Sequence, residues 1–94
     1  MIIFSKEEKQ MTNTKIGKIT HYFDKIGVGV LVLTDGKVKM GDTIQIGEEG
    51  TGFTQPIDSM QVEHQQVITA KIGDEVGLKV TQPAKEGDLV YLVK

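Results

Sequence analysis

KMGDTIQI runs from Lys39 to Ile46, and its Gly-Asp pair followed by alternating residues returns at Gly73-Asp74-Glu75-Val76 and at Gly87-Asp88-Leu89-Val90. In each phrase glycine permits a backbone turn that a Cβ hinders. Aspartate can accept hydrogen bonds from amides two residues on, and the apolar alternation then re-enters a sheet. The phrases read as corner pieces. Three corners of one kind imply a sheet that curls and closes, which removes exposed edges from a small protein.

Working back from the first corner, Thr34-Asp35-Gly36-Lys37 is a turn signal, because Asp-Gly tolerates positive φ. Before it, VGVLVL (28–33) carries apolar residues on both faces, as a central or curled strand does. DKIG (24–27) is a turn. From Lys15 the period is two: Gly17, Ile19, His21 and Phe23 share one face and Lys18, Thr20 and Tyr22 the other. That parity makes Phe23 a core residue and leaves Tyr22 free to stack on a base or a peptide.

Forward from Ile46, GEEGTG (47–52) reads as an exposed hairpin-like loop. It lacks the Lys-Ser/Thr ending of a phosphate loop and the following helix of a dinucleotide fold. Phe53, Gln55 and Ile57 are spaced by two, but Ile57 to Met60 is a step of three, which predicts a β-bulge near Asp58 or Ser59. Pro56 cannot donate a ladder hydrogen bond and belongs at an edge or a bend. No window shows twelve residues of helical periodicity. A single turn is open to Glu63–Gln66 or Ala84–Gly87. The expectation is an all-β domain of six or seven strands.

The 94 residues allow one domain with a small core, 38% hydrophobic, with three Phe, two Tyr and no Trp. All eleven basic residues are Lys; against thirteen acids they leave a net charge of −2, and the absence of Arg forks argues against general nucleic-acid binding. No Cys is present, so disulfide and thiolate chemistry are excluded. The opening has three apolar residues between Met1 and Ser5, too few for a signal-peptide core or a membrane span. A soluble, cytoplasmic chain without a membrane partner is expected. Residues 1–13 are expected to form a flexible N-terminal extension, with Met11 as a second start, and residues 14–94 the domain.

GKITHYFDKIGVGVLVLTDGKVKMGDTIQI, TQPIDSMQVEHQQVITAKIGDEVGLKV and KEGDLVYLV together carry a family likeness. Over Lys15 to Val93 the chain resembles translation elongation factor-like proteins and the second domain of translational GTPases such as elongation factor Tu. A similar module ends some collagenase-like peptidases. The resemblance implies a closed six-stranded antiparallel β-barrel of the translation-factor domain 2 type. It also implies a contact surface beside the acceptor end of tRNA, which falls here on Asp58, Ser59, Met60, Gln61, Glu63 and His64. With no P-loop, the chain is not expected to bind GTP.

Other chemistry finds little footing. His21 and His64 show no short metal-ligand spacing. His64, beside Glu63, Gln65 and Gln66, is the better contact candidate of the two. Asp42, Asp74 and Asp88 belong to the corner phrase and are read as turn caps. Ser59 lacks an adjacent His and the glycine-flanked elbow of a hydrolase nucleophile. Lys15, Lys18, Lys25, Lys37 and Lys39 cluster in the first half and could line one side of the barrel.

The sequence therefore predicts no enzyme and no cofactor, but a noncatalytic binding module contacting a translation protein or RNA through Tyr22, Asp58, Ser59, Gln61, Glu63 and His64. The competing reading is a structural or assembly protein that forms a homo-oligomer or supports a larger enzyme.

Overall fold

The computed structural model describes residues 13–48 and 52–93. Apart from Asn13, the expected extension over 1–13 lies outside the described residues, as do 49–51 of the GEEGTG loop. The strands are β1 (Asn13–Phe23), β2 (Val28–Leu33), β3 (Val38–Lys39), β4 (Thr43–Ile46), β5 (Phe53–Pro56), β6 (Met60–Val62), β7 (Gln65–Gln66), β8 (Thr69–Ala70), β9 (Glu75–Lys79) and β10 (Leu89–Val93). The all-β expectation agrees with this, and the described residues contain no helix.

Eight strands form one antiparallel sheet in the order β5-β4-β10-β1-β2-β9-β6-β7, while β3 and β8 pair separately. The sheet curls through 190° and stays open, with a gap of 16 Å. The expected closed six-stranded barrel is therefore corrected to an eight-stranded half-barrel. The two edges offer little ladder for closing that gap: β5 has four residues and ends on Pro56, which has no N–H, and β7 has two residues.

The curl itself is imposed by a short link. Ile57-Asp58-Ser59 joins β5, at one edge, to β6, the seventh strand of the order. Four Cα steps from Pro56 to Met60 span at most about 14 Å, so a flat sheet could not be connected this way. The bulge expected at Asp58 or Ser59 is thus a crossing: the chain leaves one ladder and joins another. Ile57 and Met60, both buried, anchor its ends.

All three corners have one geometry. The backbone N–H of Asp42, Asp74 and Asp88 donates to the carbonyl of the lysine three residues earlier at 3.1, 3.0 and 3.1 Å. Each aspartate Oδ2 in turn accepts the backbone N–H of that same lysine, Lys39, Lys71 or Lys85, at 3.0, 3.0 and 2.9 Å. The carboxylates therefore cap backwards onto residue i of the turn and not forwards as expected. Gly41, Gly73 and Gly87 have φ of 92°, 98° and 94°, the left-handed value that the third position of a type II turn requires. Each corner delivers the chain straight into a strand: β4, β9 and β10.

Inside the curl, Ile19, Leu31, Ile44, Ile46, Val76 and Val90 are fully buried. Each such side chain contributes about 1.5–3 kcal/mol relative to exposure. β1 does not keep the parity expected of it. Its register against β2 shifts between Ile19 and His21, and against β10 between Lys15 and Gly17. An extra residue at Thr20 flips every later side chain to the other face. Phe23, expected in the core, is half exposed, while Tyr22 packs against the core instead.

Candidate functional site

Val30 of β2, Gly77 of β9 and Gln61 of β6 stand side by side in register across three neighbouring strands. On β2 the alternation turns Leu31 and Leu33 inward and leaves Val28, Val30 and Val32 half-buried on the outer face. On β9, Val76 and Leu78 point in, so Glu75, Gly77 and Lys79 point out. With no side chain at Gly77, the outer face has a trough between valines on one side and Gln61 on the other.

The trough widens into a groove of about 600 Å³. The pairings of Val28 with Lys79 and of Phe23 with Val28 put Phe23 and Ile26 at one end. The pairing of Val62 with Val76 puts Glu63, His64, Asp74 and Glu75 at the other. One end is therefore apolar, with Phe23 and Ile26 exposed by 50% and 61%, and the other is acidic. Asp74 is occupied by the Lys71 amide, whereas Glu63 and Glu75 form no ion pair among the described residues.

The tip of the β6–β7 hairpin is unusual. Val62 pairs with Gln65, so Glu63 and His64 form a two-residue loop, and both have positive φ, 53° and 68°. This is the type I′ arrangement that Asn-Gly normally fills. A single helical turn, one of the expectations for Glu63–Gln66, is not formed.

Of the six residues predicted to form a contact surface, the groove gathers Gln61, Glu63 and His64. Tyr22 packs against the core, and Asp58 and Ser59 sit in the crossing between β5 and β6, outside the groove lining. Sequence reasoning missed Phe23, Ile26, Val28, Val30, Glu75 and Gly77. Two signals were present: the outward valines of VGVLVL and a glycine in mid-strand at EVGLK.

A second groove, of about 570 Å³, lies where β3 pairs with β8. Val38, Ala70 and Leu92 line it with Lys37, Lys39 and Lys71, and the corner carboxylates Asp42 and Asp74 share it. Of the lysines expected to cluster, only Lys37 and Lys39 meet here, while Lys15 pairs with Asp35 at 3.5 Å. His21 stands 3.5 Å from Glu86 and stacks on Phe23 with ring centroids 6.2 Å apart. Among the described residues no group of three or more His, Cys, Asp and Glu could hold a metal ion.

No family model matches the chain. An uncharacterised protease of Methanocaldococcus jannaschii is 38% identical over 81 residues, covering 85% of this chain and 20% of the protease. A collagenase of Porphyromonas gingivalis is 29% identical over 79 residues, covering 83% of this chain and 22% of the collagenase. The chain thus spans about a fifth of the length of the curated relatives it matches. Among solved structures, the C-terminal domain of a Geobacillus thermoleovorans protein described as a U32 peptidase superposes with a TM-score of 0.76 at 21% identity, covering 84% of this chain and 91% of that one. At that identity the match shows a shared fold.

These relatives overturn four expectations drawn from the resemblance to translation factors. They are a protease and collagenases, so the likeness points to peptidase-family proteins and away from the translation machinery and RNA. The expectations of a purely noncatalytic module and of no enzyme fall with it. The likeness of this chain runs to peptidase-family proteins, not to translation elongation factor-like proteins.

Proposed function

We propose that the chain works in peptide-bond hydrolysis, as the β-sheet domain of a peptidase related to the U32 type. The observation that carries this reading is the 38% identity to the Methanocaldococcus jannaschii protease, sustained over 81 residues, 85% of the chain. The fold supports it, because the matching solved domain stands at the C-terminal end of a protein described as a peptidase. In this role the open half-barrel presents its outer face to the substrate of the larger enzyme. A single domain of this size with shallow grooves suits orientation of a polypeptide, which raises hydrolysis by holding the reacting bond in place.

The test is gelatin and fluorogenic-peptide hydrolysis in two formats. The chain is assayed alone, and it is exchanged for the matching segment of the Porphyromonas gingivalis collagenase. Hydrolysis in either format that exceeds the collagenase without that segment supports the reading. An inactive chain, together with an exchanged collagenase no better than the truncated one, overturns it.

A further inference from the structure

Gly77 is a glycine that the fold does not require. Its φ is not in the left-handed region, and a Cβ built there would meet nothing nearer than 3.9 Å, with Gln61 O and Val28 Cγ1 the closest atoms. Glycine in mid-strand weakens a strand and gives it no side chain to pack, so its usual justifications are a bulge, a bend or close approach of another backbone. β9 runs in unbroken register with β2 and β6 on either side of Gly77. No bulge interrupts it, and with a Cβ meeting nothing nearer than 3.9 Å, the open face over Gly77 leaves room for close approach of another backbone.

We infer that the outer groove over Gly77 binds a short extended peptide segment carrying a Lys or Arg at one end and an apolar side chain several residues away. The length follows from β9: from Glu75 to Lys79 the strand runs about 13 Å, the reach of four to five extended residues. The composition follows from the two ends. Glu63 and Glu75 offer carboxylates that form no ion pair among the described residues, and no Lys is among the lining residues at that end, so a cation is favoured there. Phe23, Ile26 and Val28 offer apolar surface at the other end. Backbone passing over Gly77 meets no Cβ and lies close to the sheet. The ammonium of Lys79, the next outward side chain along β9, is outside the lining and discourages a second cation at the apolar end.

This inference rests on the peptidase reading only in taking a peptide as the ligand. The test is fluorescence anisotropy of the whole chain with labelled peptides of about six residues: one with Lys spaced from Phe, and one with Glu replacing that Lys. The Lys peptide is expected to bind about tenfold more tightly, with the advantage shrinking as salt is raised. Gly77→Val, which fills the trough, is expected to weaken binding about tenfold while far-UV circular dichroism stays unchanged. Should Gly77→Val fail to fold, Gly77→Ala and the pair Glu63→Gln with Glu75→Gln carry the same comparison. Equal binding of both peptides, undiminished binding by folded Gly77 variants, or loss of self-association in Gly77→Val without any peptide affinity would each overturn the inference. Because binding is read without hydrolysis, a chain that binds but supports no cleavage sinks the peptidase reading alone. Cleavage supported by a chain whose folded Gly77→Val variant binds the peptide undiminished sinks the groove alone.

Discussion

The side-chain Oε1 of Gln55 accepts the backbone N–H of Thr81 at 2.8 Å, while its Nε2 donates to the carbonyl of Lys79 at 2.8 Å. One buried carboxamide on the edge strand β5 thus stands in for a strand pair across the open side of the half-barrel. It satisfies an acceptor on the last residue of β9 and a donor two residues beyond it.

Gln55→Ala removes both bonds and leaves two backbone groups short of partners. We expect a loss of about 2–4 kcal/mol, read as a lower midpoint in urea unfolding. A midpoint within error of the wild type would show that the open side is held by something else.

The corner carboxylates make a graded set. Asp88→Ala removes the acceptor for the Lys85 amide and should cost about 0.5–1.5 kcal/mol, with Asp42→Ala and Asp74→Ala close to it. Asp58→Ala, at an exposed residue of the β5–β6 crossing, should stay within about 0.5 kcal/mol of the wild type. Thermal melting of the four variants checks this, and equal effects at Asp58 and Asp88 would count against the capping role.

Positive φ at both Glu63 and His64 predicts that Glu63→Asn combined with His64→Gly relieves backbone strain. Stability should rise by about 1 kcal/mol, seen as a higher Tm. A fall in Tm would mean that the two side chains hold the tip through contacts that outweigh the strain.

The flipped parity after Thr20 gives opposite expectations for two adjacent aromatics. Tyr22→Ala, at a residue packed against the core, should cost about 2–3 kcal/mol, and Phe23→Ala, at a half-exposed residue, under about 1 kcal/mol. Denaturant titrations of the two variants decide it, and the reverse order would restore the uninterrupted alternation.

Much of the local structure could be read from the residues. The Gly-Asp corners, the Asp24–Gly27 turn and the placement of Pro56 at an edge all follow from dihedral preference and the missing proline N–H, which act within a few residues. The groove was half legible for the same reason: Gln61, Glu63 and His64 lie on one contiguous stretch, whereas Val30 and Gly77 are far apart in sequence and meet only through strand register.

By itself, then, the sequence determined that the chain is all-β, where it turns and which glycine-aspartate pairs turn it, because turn chemistry is local. Tertiary structure alone decided that the sheet stays open, that Tyr22 and not Phe23 faces the core, and that a trough forms over Gly77. Those outcomes depend on how separate strands align. A one-residue shift at Thr20 or a proline at the end of β5 changes that alignment without altering the pattern of apolar and polar residues along the chain.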